Sequence, residues 1–145
     1  MWRSLASVLV LSCAAACGDP EIVVPDVLSV TFLPPQGSIG ISTDMEALVY
    51  FSHAIQTPTA VQGALSMVCL GSPPCAAENG QGCSADPTVA TTITFELNQV
   101  AHVKPNQLLT ANTCYSIRAA AGVEANDKNV GPLPVDFHSA FQTAP

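Results

Sequence analysis

The feature that most constrains this chain is a period of two in its apolar residues, which continues from residue 27 almost to the end. Residues 27–33 place Leu28, Val30 and Phe32 on one face of an extended chain and polar side chains on the other. Alternation of this kind is typical of a β-strand with one buried face, because successive side chains point to opposite sides. Proline, glycine and asparagine clusters interrupt the pattern at short intervals, as turns do. The segment therefore predicts the first strand of an all-β domain.

Further segments repeat this pattern and predict about seven strands in total, with at most one helical turn near residues 56–63. The other predicted strands are residues 46–51, 64–70, 91–97, 101–104, 113–120 and 135–143. The side chains predicted to face inward are Ala47, Val49, Phe51, Ile93, Phe95, Leu97, Tyr115, Ile117, Val135, Phe137 and Phe141. Short strands separated by turns favour a single antiparallel β-sandwich over residues 27–145, with Tyr115 packed in the core and its hydroxyl bonded to backbone.

The order of several short motifs carries a resemblance. In chain order they are Pro34 with Gly37, Leu48-Val49-Tyr50-Phe51-Ser52, Ile93-Thr94-Phe95, Leu109 with Asn112-Thr113-Cys114-Tyr115-Ser116-Ile117, Asn126-Asp127-Lys128-Asn129, and the closing Phe141-Gln142-Thr143. In this order they resemble the SbsA-type bacterial Ig-like domain, a module of bacterial surface and secreted proteins. The resemblance implies an Ig-like sandwich with a surface or envelope role.

One segment departs from that family. Residues 71–89 form a long loop rich in proline and glycine, where the family has a short connection. Because binding residues often lie on loops that a rigid scaffold holds, this loop is the predicted place for a function of its own. The alternative is a disulfide-closed surface loop without a partner.

The amino-terminal residues predict export. One positive charge, Arg3, precedes an uncharged run over residues 5–16 that is too short to span a bilayer. Ala14-Ala15-Ala16-Cys17 resembles the lipobox of bacterial lipoproteins, in which the cysteine is acylated and becomes the first mature residue. Cys17 is preferred over Cys13, whose apolar run would be shorter, and ordinary secretion with cleavage near Ala16 is the remaining alternative. We therefore expect a signal peptide over residues 1–16, a tether over 17–26, and, by resemblance to lipoproteins without a retention signal, the outer membrane.

The charge argues against a nucleic-acid partner and against close contact between the domain and an anionic membrane surface. Four basic residues stand against eleven acidic ones, a net charge of −7 with histidines neutral, so nothing is available to neutralise nucleic-acid phosphates. Removing residues 1–16 leaves three basic and eleven acidic residues, a net charge of −8. Such a domain is repelled by an anionic membrane and is expected to stand away from it on its tether.

Four cysteines remain once Cys13 and Cys17 are set aside, which predicts two disulfides with three possible pairings. Cys75 and Cys83 lie in the same loop and are expected to pair, which leaves Cys69 for Cys114. That pairing requires Cys69 to face outward with Cys114, Ser116 and Arg118, and Val68 with Leu70 to face the core. The cysteine spacings do not match zinc sites or CxxC redox motifs.

No catalytic or metal-binding constellation is evident. His53, His102 and His138 are expected to be surface residues, and Ser52, His138 and Asp136 do not make a credible triad. Residues 124–129 offer several oxygen ligands, but a turn stabilised by asparagine and aspartate side chains is favoured over calcium. The sequence thus favours a membrane-anchored, non-catalytic module without cofactors that contacts proteins of the cell envelope. The alternative is a module that binds a glycan or another small ligand through loop 71–89.

Overall fold

The computed structural model describes residues 25–57, 62–75, 83 and 87–145. These residues form nine β-strands and a short 3-10 helix at Gln62–Ala64. None of the helical structure in this part of the chain is long or apolar enough to span a bilayer. The strands are β1 (Val30–Leu33), β2 (Ser38–Ile41), β3 (Ala47–Phe51), β4 (Leu65–Gly71), β5 (Thr88–Val89), β6 (Thr91–Glu96), β7 (Val100–Pro105), β8 (Cys114–Ala119) and β9 (Phe137–Thr143).

The strands form two packed sheets, so the predicted all-β sandwich is confirmed. A four-stranded sheet has the order β1-β3-β7-β6, and a five-stranded sheet has the order β2-β9-β8-β4-β5. Neighbours pair antiparallel except β2 and β9, which are parallel. One sheet with the A-B-E-D order and another containing C, F and G define an immunoglobulin-like sandwich. Here β1, β3, β7 and β6 take the first set of positions, and β4, β8 and β9 take the second.

The chain crosses from one sheet to the other at the turn between β1 and β2. Gly37 has a φ of 82°, a conformation that favours glycine, and its N–H donates to the carbonyl of Ala140 at 2.8 Å. The hydroxyl of Ser139 donates to the carbonyl of Pro34 at 2.9 Å. These bonds attach the turn to β9 and set β2 beside it. β2 and β5 are the two strands that the sequence pattern missed.

The core lies between the sheets and is built by the predicted alternation. Ala47, Val49 and Phe51 are buried along β3, while Tyr115 and Phe141 place their rings 6.0 Å apart between the layers. Burying each large apolar side chain contributes about 1.5–3 kcal/mol relative to exposure. The largest fully buried apolar side chains are Phe141, Leu28, Ile55, Met67, Ile117, Leu133, Val49 and Val103.

Two predicted core residues are exposed instead. Leu97 is 85% exposed, because it occupies a tight turn between β6 and β7 in which both Leu97 and Asn98 have positive φ. The N–H of Gln99 closes this turn on the carbonyl of Glu96 at 3.0 Å. Val135 is 55% exposed because it precedes the first residue of β9 and has no place in the ladder.

Tyr115 has the predicted environment. Its ring is buried near the start of β8, and its hydroxyl oxygen accepts a hydrogen bond from the N–H of Thr110 at 2.9 Å. This bond from a strand-F tyrosine back to the preceding backbone is the tyrosine corner of immunoglobulin-like sandwiches. It fixes the connection between the two sheets at one end of the domain.

The predicted disulfide pairing is wrong. Cys69 is bonded to Cys83, and Cys75 is bonded to Cys114, with Cα–Cα distances of 5.9 and 5.2 Å. The reason lies in the strand faces: Cys69 packs in the core between the sheets, whereas Cys114 packs on the opposite face of the five-stranded sheet. Two side chains on opposite faces of a sheet cannot meet.

The predicted orientation of β4 is wrong for the same reason. Val68 and Leu70 pack with Cys114 and Ala140 on the face turned away from the core, which we call the outer face. Met67 and Cys69 point inward. Ser116 and Arg118 do share the outer face with Cys114, as their alternation with Tyr115 predicts.

Candidate functional site

The outer face of the five-stranded sheet is unusual, because much of it is buried instead of facing solvent. Cys114 is fully buried and Ala140 is 4% exposed, although neither faces the core. Along β4, residues on both faces are buried from Met67 to Gly71. Cys75, bonded to Cys114, packs against this cluster and brings the start of loop 71–89 over the sheet.

A cavity of about 700 Å³ lies on this outer face. Its size falls within the range of small-molecule sites in proteins. Hydrogen-bonding side chains from four stretches of chain line it, namely Gln36, Ser66, Ser116, Arg118, Asp136 and His138. Part of the cavity wall is therefore polar. We call this cavity the outer-face cavity.

The register of the strands places these polar groups in rows. Ser66 lies opposite Arg118 in the β4–β8 ladder, and Arg118 lies opposite His138 in the β8–β9 ladder. The three side chains therefore form one row across the sheet. Ser116 lies one row further along β8, beside Ala140. Asp136 lies at the edge, where its carboxylate accepts a hydrogen bond from the N–H of Ala121 at 2.7 Å.

The hydroxyl of Ser116 lies on the cavity wall in a buried position. The residue is 2% exposed, and its hydroxyl oxygen is the one buried side-chain oxygen or nitrogen among the described residues that lacks a hydrogen-bond partner. Leaving such a group unsatisfied costs about 1–3 kcal/mol. Buried polar groups without partners are rare in proteins, so this hydroxyl stands out among the polar groups that line the cavity.

Alternation along β8 predicts that Ser116 and Arg118 lie on the outside of the sandwich, and it predicts no role for them. Polar residues alternating with apolar ones look the same whether solvent or another part of the chain covers them. Gln36 lies between β1 and β2, and its side-chain oxygen accepts from the N–H of Ala140 at 2.6 Å. One feature of the sequence does indicate a covered outer face. The stretch Met67–Leu70 has no polar residue, as expected for a strand that is buried on both faces.

Loop 71–89, the predicted functional loop, is attached to both sides of the five-stranded sheet. Cys75 joins the outer face through Cys114, and Cys83 joins the core side through Cys69. The backbone of Pro87 then accepts from the N–H of Cys69 at 2.7 Å, just before β5. Cys75 lines the outer-face cavity, so the described part of the loop contributes to that site.

A serine, a histidine and an aspartate meet at a different place from the one considered in the sequence. The Ser52 hydroxyl lies 3.1 Å from Nδ1 of His53, whose Nε2 lies 3.3 Å from the carboxylate of Asp26. However, the Ser52 oxygen also accepts from the N–H of Ser29 at 3.0 Å, and the group is exposed. We interpret it as a polar network that joins the start of β1 to the end of β3.

His102 is also more involved than a surface residue. Its Nδ1 lies 2.6 Å from a carboxylate oxygen of Glu46, and its Nε2 lies 3.6 Å from one of Glu96. The ring joins side chains near β3 and β6 across β7. Of the three histidines, His138 is exposed and lines the outer-face cavity, whereas His53 and His102 are half-buried.

The loop over residues 124–129 adopts the predicted turn. The carboxylate of Asp127 accepts from the N–H of Asn129 at 2.9 Å and from the Asn129 side-chain amide at 3.0 Å. Among the described residues, no three histidine, cysteine or acidic side chains are grouped to hold a metal ion. Cys17, the predicted lipidation site, lies outside the described residues, as do the predicted signal peptide and most of the tether.

Comparison with known proteins supports the fold. No known protein family and no curated protein matches the chain. Among solved structures, the S-layer protein SbsC aligns with a TM-score of 0.50 at 12% identity, over 81% of this chain and 14% of SbsC. An L,D-transpeptidase from Mycobacterium tuberculosis aligns with a TM-score of 0.48 at 16% identity, over 82% of this chain and 40% of its own.

The strand order, together with the likeness to SbsC, defines the class of the molecule: an immunoglobulin-like β-sandwich with two disulfides and a polar cavity on one outer face. The chain spans well under half of each of these two solved structures. At such low identity the likeness concerns the fold and not the activity of either protein.

Proposed function

We propose that this protein is a non-catalytic, extracytoplasmic Ig-like module of the bacterial cell envelope, held on a membrane by lipid on Cys17. The observation that carries the proposal is the pair of disulfides, Cys69–Cys83 and Cys75–Cys114. Disulfides persist in oxidising compartments outside the cytoplasm and are rare inside it. The SbsA-type resemblance of the sequence and the fold shared with an S-layer protein agree with an envelope role.

The anchor rests on the sequence before the domain. An uncharged, largely apolar run over residues 5–16 that ends in Ala-Ala-Ala and is followed by Cys17 has the order of a lipoprotein signal. Two or three acyl chains, at about 0.8 kcal/mol for each buried CH₂, hold a protein on a membrane stably. The acidic domain is repelled by anionic lipid, so it stands away from the bilayer where it can meet other envelope proteins. The outer membrane is the proposed destination.

Mass spectrometry of the protein purified from its membrane fraction tests the anchor. We expect an amino-terminal peptide that begins at Cys17 and carries the mass of a diacylglyceryl group, with or without a further acyl chain. The Cys17→Ser variant is expected to lose the lipid and appear in the soluble fraction, whereas Cys13→Ser retains it. A lipid-free protein with its amino terminus elsewhere would contradict the anchor, and lipid lost only in Cys13→Ser would move it to Cys13.

The proposed mode of action is contact with protein partners. Crosslinking in intact cells, followed by mass spectrometry, is expected to join surface lysines Lys104 and Lys128 to other envelope proteins. The same treatment of the Cys17→Ser variant is the matched control, because it removes the protein from the membrane without altering the domain. Crosslinks only between copies of this chain, or none above the control, would contradict a role in envelope contacts.

A second candidate function is the binding of a glycan or another small ligand at loop 71–89. The outer-face cavity favours it, because Cys75 of this loop and Leu70 just before it lie on the cavity wall with Gln36 and Arg118. Saturable binding of a small molecule that is lost when the cavity is altered would support this function over protein contact alone.

A further inference from the structure

The outer-face cavity has two chemically different ends. Ser66, Arg118 and His138 form a polar row toward one end, beyond which Ala64, Ala120 and Phe137 also line the wall. At the other end lie Leu70 and the Cys75–Cys114 disulfide, which are apolar, beside Gln36, whose side-chain oxygen is already bonded to the N–H of Ala140. Arg118 and Cys114 are four residues apart on β8, so these ends are separated by roughly 13 Å at the usual rise of a strand. A ligand that fits both ends has a polar head and an apolar body.

The polar end favours a negative head group. Arg118 is the one arginine or lysine among the described residues that line the cavity, in a chain with only four such residues. A guanidinium presents its N–H donors in a planar fork that matches the two oxygens of a carboxylate. His138, directly opposite in the β8–β9 ladder, adds a ring N–H that could donate to the same group.

Ser116 supplies the second, independent observation. Its hydroxyl is buried, lacks a partner and lies between the two ends of the cavity, one row from Arg118 on the same face. A carboxylate oxygen bound near Arg118 is an acceptor for that hydroxyl. The bond would remove the cost of an unsatisfied buried group, which a purely apolar ligand could not do.

The carboxylate of Asp136 distinguishes between anions. It lies on the wall of the same cavity, so a head group with two charges is repelled more strongly than one with a single charge. A monoanionic carboxylate therefore suits the site better than a phosphate dianion.

We propose that the outer-face cavity binds a small amphipathic carboxylic acid, with its carboxylate on Arg118 and Ser116 and its apolar body against Leu70 and the Cys75–Cys114 disulfide. This goes beyond the proposed envelope role, because it requires neither the lipid on Cys17 nor a protein partner. The anchor and this site can therefore fail separately.

Titration of the purified full chain with phenylbutyrate, followed by amide NMR, tests the site. Saturable shifts are expected at Ser116, Arg118, His138 and Ala140. Phenylbutyramide has the same shape without the charge and is expected to bind at least tenfold more weakly. Inorganic phosphate at the same concentration is expected to displace phenylbutyrate poorly. Equal binding of the acid and the amide, shifts confined to other surfaces, or no saturable shift at millimolar concentration would each overturn the proposal.

Variants identify the residues. Arg118→Gln is expected to weaken phenylbutyrate binding tenfold or more, whereas Lys104→Gln, the same charge change on the four-stranded sheet, leaves binding unchanged. Ser116→Ala is expected to weaken it roughly fivefold, the loss of one hydrogen bond. Arg118→Lys keeps the charge without the fork and is expected to give an intermediate affinity, which covers the case in which Arg118→Gln does not fold. Unchanged binding in both Arg118 variants would overturn the assignment.

Discussion

Cys69 lies directly opposite Tyr115 in the β4–β8 ladder, so its sulfur points to the core on the same side as the tyrosine ring. Cys114, the residue before Tyr115, points to the other side of the sheet. This relationship decides the disulfide pairing, because Cys69 and Cys114 are separated by the thickness of the sheet. Each of them instead reaches a different part of loop 71–89.

Peptide mapping without reduction tests the pairing. We expect Cys69 linked to Cys83 and Cys75 linked to Cys114. Links between Cys75 and Cys83, or between Cys69 and Cys114, would contradict the orientation of β4. Reduced and alkylated protein serves as the control.

The two disulfides are expected to differ in their contribution to stability. Cys75 and Cys114 are 39 residues apart and Cys69 and Cys83 are 14 apart. On the loop-entropy account, removing the first as a double alanine variant lowers the free energy of unfolding by about 4 kcal/mol, and removing the second lowers it by about 3 kcal/mol. Denaturant unfolding measures both. A larger loss for the shorter loop would show that packing, not loop closure, dominates.

Ser116 and Ser139 offer a matched pair. Both are 2% exposed, but Ser139 donates to the carbonyl of Pro34, whereas the Ser116 hydroxyl has no partner within the described part of the chain. Ser139→Ala is expected to lower the free energy of unfolding by about 1–2 kcal/mol, and Ser116→Ala in ligand-free protein to leave it unchanged or raise it slightly. Thermal and denaturant unfolding measure the difference. A loss of equal size in both variants would mean that the Ser116 hydroxyl has a partner in solution.

Tyr115→Phe tests the tyrosine corner. The substitution removes the oxygen that accepts from Thr110, so we expect the free energy of unfolding to fall by about 1–2 kcal/mol. Tyr50→Phe, which changes a tyrosine that is 41% exposed, is expected to change it by less than about 0.5 kcal/mol. A Tyr115→Phe variant as stable as the parent would contradict a structural role for the hydroxyl.

Ser52 is expected to be unreactive despite its neighbours. Its oxygen is already an acceptor for the N–H of Ser29, so attack on a substrate carbonyl would require that bond to be given up. A fluorophosphonate probe is therefore expected to leave Ser52 unlabelled, with Ser52→Ala as the control for background. Labelling of Ser52 that His53→Gln abolishes would identify a hydrolase and contradict the non-catalytic proposal.

The alternation of side chains was sufficient to predict seven of the strands and most of the core. It failed where the two faces of a strand do not differ in polarity. Val68, Cys69 and Leu70 are all apolar, so the sequence of β4 does not indicate which of its side chains face the core. It also missed β2, whose place depends on bonds from Gly37 and Ser139 to residues about a hundred positions away.

The outer-face cavity could not be predicted for a related reason. Ser116 and Arg118 alternate with Tyr115 and Ile117 in the way that solvent-facing residues do. The burial of Ser116 and the partial burial of Arg118 depend on what covers the sheet. Cys75 belongs to that cover through a disulfide, and the sequence allows three pairings of the four cysteines. Local patterns report the face of a strand but not what lies over that face.

The parallel pairing of β2 with β9 has a mechanical consequence. The first strand of the five-stranded sheet runs beside the last strand of the domain in the same direction. A force that draws the two ends of the chain apart would therefore load the hydrogen bonds of this ladder in shear, all at once, rather than opening them one after another. Such a geometry suits a domain that stays folded while it transmits tension between its two ends.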